Sequence, residues 1–188
     1  MLQDEVKKAI EVLKAGGVIL YPTDTVWGIG CDATNPEAVK KVYEIKKRED
    51  SKALICLVDS EARLARYVRN VADVTWDIIE LSDNPLTVIF DGVTGLAPNL
   101  LAEDGSAGIR ITKEEFSKEL CFRFQKPIVS TSANISGQPT ARTFDEISDE
   151  IKNAVDYVVK YSQRCKEKHK PSSIIKISAN GQFTIIRE

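Results

Sequence analysis

The sequence predicts a single α/β domain over residues 1–188, built around a mixed β-sheet. Short apolar runs, which are typical of buried strands, interleave with segments whose apolar residues recur at helical spacing. Strands and helices do not alternate strictly, and this favours a mixed sheet over a purely parallel one. A chain of 188 residues is long enough to bury a core without disulfides or metals.

The elements of the first third follow from local patterns. Apolar residues at helical spacing predict a helix over 2–13, and Gly16-Gly17 ends that pattern. The run 18–21 predicts a buried strand that stops at Pro22. Asn35-Pro36 opens a second helix, because proline suits the first helical turn. The apolar run 53–58 predicts the next buried strand.

The remaining elements are less sharply marked. Residues 60–81 favour helix with breaks, and the glycine-rich stretch 92–105 favours a mobile loop. Asn180-Gly181 between two apolar runs predicts a β-hairpin. The other predictions are strands over 86–90, 108–111, 127–129, 157–159, 173–177 and 183–186, a helix carrying Phe116, Leu120 and Phe124 on one face, and a helix over 145–151.

Composition limits the class of protein. The 26 basic and 28 acidic residues give a net charge of −2, so a global attraction to nucleic acid is not evident. The four scattered cysteines, Cys31, Cys56, Cys121 and Cys165, are typical of free thiols in a reducing compartment. The N-terminus lacks a signal-peptide pattern, and no apolar run reaches the ~18 residues of a membrane span. We therefore expect a cytoplasmic protein with no membrane partner.

Several common catalytic sites are missing from the sequence. The single histidine, His169, lies among lysines, so the sequence indicates neither a Cys/His metal cluster nor a Ser-His-Asp triad. We therefore expect that no set of side chains in this protein binds a metal ion. Neither G-x-x-x-x-G-K-[ST] nor G-x-G-x-x-G occurs. A nucleotide would therefore have to bind without either common phosphate loop.

Three cations lie between a predicted helix and a predicted strand. Lys46, Arg48 and Lys52 could neutralise much of a triphosphate, since Arg contacts phosphate at two points and Lys supplies a mobile charge. The same cations also suit the solvated C-terminal end of a helix. Their spacing alone leaves both interpretations open.

Polar side chains follow two other predicted strands. The cluster Ser130 to Gly137, with Ser132 and Asn134, could bind phosphate or carboxylate, or could simply cap a turn. Thr23 and Thr25 could offer hydroxyls to a ligand, or could belong to a structural turn. Arg110 lies in an otherwise apolar strand, so it must pair with an internal carboxylate or face a ligand.

In this order, the segments resemble the YrdC-like family of threonylcarbamoyl-adenylate synthases, also called TsaC. The resemblance covers the chain from about Gly17 to Arg187. Each motif is weak by itself, and the ordered set is specific. The matching segments are Pro22-Thr23-Asp24-Thr25 with Gly28-Ile29-Gly30; Lys46, Arg48 and Lys52; Pro85-Leu86-Thr87; Ile109-Arg110-Ile111; Ser132, Asn134, Ser136 and Gly137; and Pro171-Ser172-Ser173-Ile174-Ile175.

The resemblance implies a fold and a reaction. The fold would be a twisted mixed sheet with flanking helices and a concave basic cavity. The reaction would convert L-threonine, bicarbonate or CO2, and ATP into L-threonylcarbamoyl-AMP and pyrophosphate. The product would serve the downstream tRNA threonylcarbamoyl transferase complex, which modifies adenosine 37 of tRNA. Mg²⁺ would accompany ATP, held mainly by phosphates and water.

The resemblance also implies roles for individual residues. Lys46 and Arg48 would be the catalytic residues, acting through charge and positioning rather than as nucleophiles. The residues implied for ATP are Lys46, Arg48, Lys52, Thr87, Arg110, Ser132 and Asn134. Those implied for threonine are Thr23, Thr25 and Ser132.

This sequence departs from the family pattern at a few positions. Glu49 stands where many members have proline, Ala53 replaces a proline or glycine, and the segment Ile111-Thr112-Lys113-Glu114-Glu115-Phe116 lacks the usual His-Pro. Because the chain ends at Glu188, it resembles the short form without a second domain. One alternative is an RNA- or tRNA-binding module of the same fold without synthase activity. Another is a carbamoyl-adenylate enzyme of hydrogenase maturation, which normally belongs to a much larger chain.

Overall fold

The computed structural model describes residues 1–48, 54–165 and 171–188. Its α-helices are α1 (Leu2–Lys14), α2 (Pro36–Lys46), α3 (Glu61–Leu64), α4 (Asp73–Leu81), α5 (Glu115–Phe124) and α6 (Asp149–Ala154). Its strands are β1 (Ile19–Tyr21), β2 (Gly28–Gly30), β3 (Ile55–Val58), β4 (Leu86–Phe90), β5 (Ala107–Ile111), β6 (Ile128–Ser132), β7 (Tyr157–Val158), β8 (Ser173–Ile177) and β9 (Phe183–Arg187). Two short 3₁₀ helices lie at Pro98–Leu100 and Phe144–Glu146. Within these ranges no helix is long and apolar enough to cross a bilayer.

The strands form one twisted mixed sheet in the order β7-β1-β2-β6-β3-β5-β4-β8-β9. Strand pairs β1–β7, β3–β5 and β4–β8 are parallel, and the other neighbours are antiparallel. Helices α1 and α5 pack against each other, and α5 lies against β3. The α/β architecture with a mixed sheet and flanking helices is therefore confirmed.

Local signals position several elements as predicted. The Asn35 side chain accepts hydrogen bonds from the amides of Glu37 and Ala38, and Pro36 occupies the first turn of α2. Phe116, Leu120 and Phe124 are all buried on one face of α5. The 60–81 segment is broken into α3 and α4, and β8 and β9 form the predicted hairpin.

Strand β2 is absent from the prediction, because its glycines favoured a bent turn. It instead runs through the sheet between β1 and β6. A Cβ on Gly30 would lie 2.3 Å from the Val129 carbonyl oxygen and 2.6 Å from a ring carbon of Tyr21. Glycine is needed here because neighbouring backbone and a buried ring approach too closely for any side chain.

Two further boundaries differ from the prediction. Strand β6 continues to Ser132, so the polar cluster begins inside the sheet rather than after it. The predicted helix over 145–151 is a short 3₁₀ turn followed by α6, because Ser148 accepts a hydrogen bond from the Ile151 amide and starts a new helix.

The stretch 92–105 is tied to the body of the protein. Leu100 is fully buried, and the Tyr43 hydroxyl donates to the Asn99 carbonyl oxygen at 3.0 Å. The Ala97 amide donates to the Ala33 carbonyl oxygen. These contacts fasten the stretch to α2 and to the segment before it, and they do not support the mobile loop that its glycines suggest.

Candidate functional site

A cavity of about 250 Å³ opens over the middle of the sheet. It spans β2, β6, β3, β5, β8 and β9, so segments distant in sequence meet there. The described residues that line it are Thr25, Val26, Gly28, Arg48, Leu54, Ile55, Arg110, Ser130, Thr131, Ser132, Thr140, Pro171, Ser172, Ile174 and Arg187.

Strand register explains why these side chains share one face. Ile55 of β3 pairs with Ser130 of β6 on one side and with Gly108 of β5 on the other. Gly28 of β2 pairs with Ser132. Since paired residues point to the same side of a sheet, Ser130, Ser132 and Arg110, two residues beyond Gly108, lie on the cavity face.

The ionisable side chains among the described lining residues are all basic. Among the described lining residues, Arg48, Arg110 and Arg187 are the ionisable groups, and none is a carboxylate. Guanidinium groups bind phosphate or carboxylate oxygens at two points. This part of the molecule is therefore suited to a polyanion.

Arg110 forms an internal ion pair and also borders the cavity, so both possibilities that its position in the sequence left open apply. Its side chain is only 2% exposed, and its Nη2 lies 2.9 Å from Oδ1 of Asp24 in a buried ion pair. Nη2 also donates to Oγ1 of Thr25 at 3.2 Å, while Nε has no hydrogen-bond partner within the described chain. The guanidinium is thus held in place by Asp24 and Thr25 and still borders the cavity.

A β-bulge turns Arg187 into the cavity. Ile175 of β8 pairs with Ile185, but Ile174 pairs with Arg187, so Ile186 is an extra residue in β9. In a regular strand without the bulge, Arg187 would share the face of Ile185. The guanidinium instead donates to the Ser172 carbonyl oxygen from Nε at 3.0 Å and from Nη2 at 2.7 Å.

Lys46 and Arg48 are separated by the structure, although they are neighbours in sequence. Arg48 lines the cavity, whereas Lys46 is only 1% exposed and is absent from the lining. The Lys46 ammonium donates to the carbonyl oxygens of Ser132 at 2.6 Å and Asn134 at 2.7 Å. Burial, and secondarily the charge of Arg48, lower the pKa of Lys46 to about 8. Lys46 therefore holds the backbone at the end of β6.

Asn134 and Thr87 lie behind the lining rather than in it. The Asn134 amide donates to the carbonyl oxygens of Ile135 and Gln138 and so closes the turn after β6. Thr87 is fully buried, and its hydroxyl lies 2.8 Å from that of Ser172, which does line the cavity. Of the uncharged residues predicted for ATP, which are Thr87, Ser132 and Asn134, Ser132 is the one that lines the cavity.

A second cavity, also about 250 Å³, adjoins the first at Thr25. Its described lining consists of Pro22, Thr23, Thr25, Trp27, Glu114, Arg142, Ser162 and Cys165. Trp27 is braced by Phe144, with ring centroids 4.9 Å apart. This cavity therefore combines an apolar wall with groups of both charges.

Glu114 is the carboxylate of the second cavity. It caps α5, because its two carboxylate oxygens accept hydrogen bonds from the amides of Phe116 and Ser117. Burial raises the pKa of the Glu114 carboxyl above its ordinary value, and the amide hydrogen bonds oppose that rise. Glu114 occupies part of the segment where the sequence departs from the family's His-Pro.

Lys52 and His169 lie outside the described residues, as do the departures at Glu49 and Ala53. Across 1–48, 54–165 and 171–188, no cluster of three or more His, Cys, Asp or Glu side chains could hold a metal ion.

Two polar residues that line the first cavity, Arg187 and Thr140, were not predicted from the sequence. Arg187 gave no signal, because its direction depends on a bulge that a strand pattern does not reveal. Thr140 follows the polar cluster without a distinguishing pattern. Ser172 belongs to the motif Pro171-Ser172-Ser173-Ile174-Ile175, and its place beside Thr87 follows from the pairing of β4 with β8.

Comparison with known proteins gives a consistent family. Residues 11–188 match the Sua5_yciO_yrdC family model, described as "Telomere recombination". A Methanocaldococcus jannaschii relative is 41% identical over 99% of this chain and 88% of its own length. A Pseudoalteromonas translucida relative named threonylcarbamoyl-AMP synthase is 35% identical over 84% of this chain and 86% of its own.

Solved structures support the same fold. Escherichia coli YciO has a TM-score of 0.85 at 23% identity, covering 99% of this chain and 89% of that chain. Pyrococcus abyssi Sua5, solved with L-threonine, has a TM-score of 0.80 at 20% identity, covering 92% of this chain. The present chain spans about half of that Sua5 chain, 50% of its length. By sequence match and by fold, this chain belongs to the Sua5/YciO/YrdC family.

Proposed function

We propose that this protein is an L-threonylcarbamoyladenylate synthase, a nucleotidyltransferase that uses L-threonine, bicarbonate and ATP. The observation that carries the proposal is the cavity where Arg48, Arg110 and Arg187 surround the β6 hydroxyls without a carboxylate among the described lining residues. Relatives that match most of the chain carry the name threonylcarbamoyl-AMP synthase. The alternative of an RNA-binding module without synthase activity is less favoured by those names and by the net charge of −2.

The proposed chemistry has two steps. The primary amine of threonine and bicarbonate form a carbamate, R–NH–COO⁻, and release water. A carbamate oxygen then bonds to the α-phosphorus of ATP, the bond from that phosphorus to the bridging oxygen breaks, and pyrophosphate leaves with the electron pair. No side-chain nucleophile is required, because such a transfer depends on positioning and on stabilising phosphate charge.

The first cavity would hold the nucleotide. Arg48, Arg110 and Arg187 would share the phosphate charge, joined by Lys52, whose side chain lies outside the described residues. The Ser132 hydroxyl would donate a hydrogen bond to a phosphate oxygen. Lys46 would act as a positioning residue, since its ammonium already binds the carbonyl oxygens that end β6.

Asn134 and Thr87 would also act by support rather than by contact. Asn134 shapes the turn that follows Ser132, and Thr87 orients Ser172. Mg²⁺ would enter with ATP and be held by phosphate oxygens and water, because the described lining offers it no carboxylate. The product would pass to the tRNA threonylcarbamoyl transferase complex.

The second cavity would take the amino acid. Trp27 and Pro22 would contact the threonine side chain, and Thr25 would lie at the border where the carbamate meets ATP. Thr23 would support Thr25, because its hydroxyl is already bonded to Thr25 and to the Val26 carbonyl.

Pyrophosphate release tests the proposed function. Purified protein with ATP, Mg²⁺ and bicarbonate should release pyrophosphate when threonine is added, and less with serine or glycine. Mass spectrometry should detect the mixed anhydride of threonine carbamate and AMP. Arg48→Ala should abolish turnover and leave the fold intact. Arg66→Ala is the control, because Arg66 is exposed and its loss should leave turnover unchanged. Threonine-independent or absent release would contradict the function, and near-normal activity of Arg48→Ala would contradict its phosphate role.

A further inference from the structure

Strongly exposed apolar side chains concentrate on two neighbouring elements, α4 and β9. Seven large apolar residues of the described chain are strongly exposed, and five of them lie on these two elements. The five are Val74, Leu81, Phe183, Ile185 and Ile186. Single exposed apolar residues are ordinary on a protein surface, whereas a concentration of them marks a surface that binds a partner.

Phe183 and Ile185 of β9 lie on the sheet face opposite the first cavity. They pair with Ile177 and Ile175 of β8. Ile174 lines the cavity, and successive side chains of a strand point to opposite faces. Ile175 and Ile177 are 8% and 3% exposed, whereas Ile185 and Phe183 are 55% and 58% exposed. The cover of this face therefore ends one strand before the edge of the sheet.

Helix α4 runs beside this uncovered strip. A Cβ on Gly181, in the turn between β8 and β9, would lie 3.6 Å from Cγ1 of Val74. Val74, Ile78 and Leu81 are spaced four and three residues apart, so they share one flank of α4, and that flank faces the hairpin. Ile78 also packs against the core cluster that lies under α4. The surface that results, the α4–β9 ledge, consists of Val74, Ile78, Leu81, Phe183 and Ile185.

Carboxylates border the ledge on its solvent side. Asp73 and Asp77 are exposed, and each directly precedes an apolar residue of the ledge, so the two form a row beside it. Helix α4 itself contains no basic residue. The ledge thus combines apolar contact with a negative border, which is complementary to a partner with an apolar face and a positive border.

We propose that an amphipathic helix of a partner protein, apolar on one face and basic along its flank, packs on the α4–β9 ledge. A helix is the element that covers a sheet face in an α/β domain, and the uncovered strip lies directly beside one. The partner helix would bury Phe183 and Ile185 and place its cations against Asp73 and Asp77.

Charge disfavours two other occupants of the ledge. A second copy of this chain, related by a two-fold axis, would bring one acidic border against the other. An anionic membrane surface would be repelled by the same carboxylates. A basic helix satisfies both the apolar ledge and its border.

The test uses a designed peptide as the probe. A fluorescently labelled peptide of about five helical turns carries leucine on one face and lysine on its flanks, and a matched peptide carries glutamate instead of lysine. Fluorescence anisotropy with the purified full chain should show saturable binding of the lysine peptide. The glutamate peptide should bind about tenfold more weakly or worse, because its charges face Asp73 and Asp77.

Substitutions locate the binding. Leu81→Ser and Ile185→Ser should each weaken binding of the lysine peptide by about tenfold, the effect of losing one buried apolar side chain. Phe122→Ser is the control, because Phe122 is 56% exposed on α5, away from the ledge, and its loss should change nothing. These side chains are exposed, so thermal unfolding of the variants should match that of the wild-type protein.

Charge reversal tests the acidic border. Asp77→Lys should reduce the preference for the lysine peptide by about fivefold or more. Asp145→Lys makes the same charge change at an exposed position outside α4 and should leave the preference unchanged.

The remaining outcomes overturn the proposal. They include no binding of the lysine peptide, equal binding of both peptides, and an effect of Phe122→Ser as large as that of Ile185→Ser. If light scattering shows a dimer that Ile185→Ser dissociates, the occupant is a second copy. If the protein binds anionic phospholipid vesicles and Ile185→Ser abolishes that binding, the occupant is a membrane.

Discussion

The ammonium of Lys46 lies 2.6 Å from the carbonyl oxygen of Ser132, so the last turn of α2 is bonded to the last residue of β6. A second bond, to the Asn134 carbonyl oxygen, extends this connection past the strand. The amide of Ser136 in turn donates to the carbonyl oxygen of Lys46 at 2.9 Å. Helix α2 and the polar turn after β6 therefore form one unit.

Lys46→Met should destabilise the fold as well as the reaction. The change removes two charge-assisted hydrogen bonds and leaves two carbonyl oxygens without their donor, so the free energy of unfolding should fall by about 2–4 kcal/mol. Lys47→Met is the matched control, because Lys47 is 63% exposed in its ion pair with Glu150 and should change stability by about 0.5 kcal/mol or less. Urea unfolding measures both. Equal effects of the two substitutions would contradict the buried connection.

Arg187→Ala should weaken nucleotide binding more than it weakens folding. The side chain lies on the outermost strand, where β9 is exposed, so its loss creates no cavity in the core. Loss of a two-point phosphate contact should raise the KM for ATP by about tenfold or more. Arg187→Lys should recover only part of that loss, because lysine supplies a point charge. An unchanged KM for ATP would remove Arg187 from the phosphate site.

Gly30→Ala should disrupt the sheet. The added Cβ would meet the Val129 carbonyl oxygen at 2.3 Å, and backbone cannot move aside as a flexible side chain can. We expect a loss of about 3 kcal/mol or more in the free energy of unfolding.

Gly105→Ala is the control for that substitution. Gly105 has a φ of +77° with open space around its Cβ position, so only backbone strain of about 1–2 kcal/mol is expected. Thermal unfolding of the two variants separates the effect of a steric clash at position 30 from that of backbone strain at position 105. Equal losses would mean that close strand approach is not what requires glycine at position 30.

Glu114 should make stability depend on pH in an identifiable direction. Burial raises its pKa in the folded protein above the unfolded value near 4.5. Its contribution is fully present below that unfolded value and is lost as the pH rises through the folded pKa. The free energy of unfolding of the wild-type protein minus that of Glu114→Gln should therefore decrease from pH 4 toward pH 7. An increase over that range would show that the amide hydrogen bonds outweigh burial.

Much of the fold could be predicted because local and tertiary preferences agree. Helix α2 begins at Asn35-Pro36 with a side-chain cap, and the face of α5 that carries Phe116 is buried as its spacing indicates. Strand β2 was missed because its glycines are there for close packing, and packing distances between strands are not visible in a single sequence.

The site was predicted less completely than the fold. Arg48, Arg110, Thr25 and Ser132 do meet at one cavity. Lys46 looks like a phosphate ligand by its charge, yet the structure buries it against backbone carbonyls. The residue types were visible in the sequence, but the direction in which each side chain points depends on register and bulges.

The exposed position of β9 links ligand binding to the docking of that strand. Arg187 faces the cavity only while β9 is paired with β8. An anion that binds Arg187 therefore binds the state in which β9 is paired more tightly than the state in which β9 is detached. By thermodynamic linkage, the free energy by which the ligand stabilises the pairing of β9 equals the free energy by which that pairing strengthens ligand binding. The outermost hairpin should accordingly exchange its amide hydrogens more slowly when the nucleotide is bound, which makes the sheet edge a reporter of occupancy.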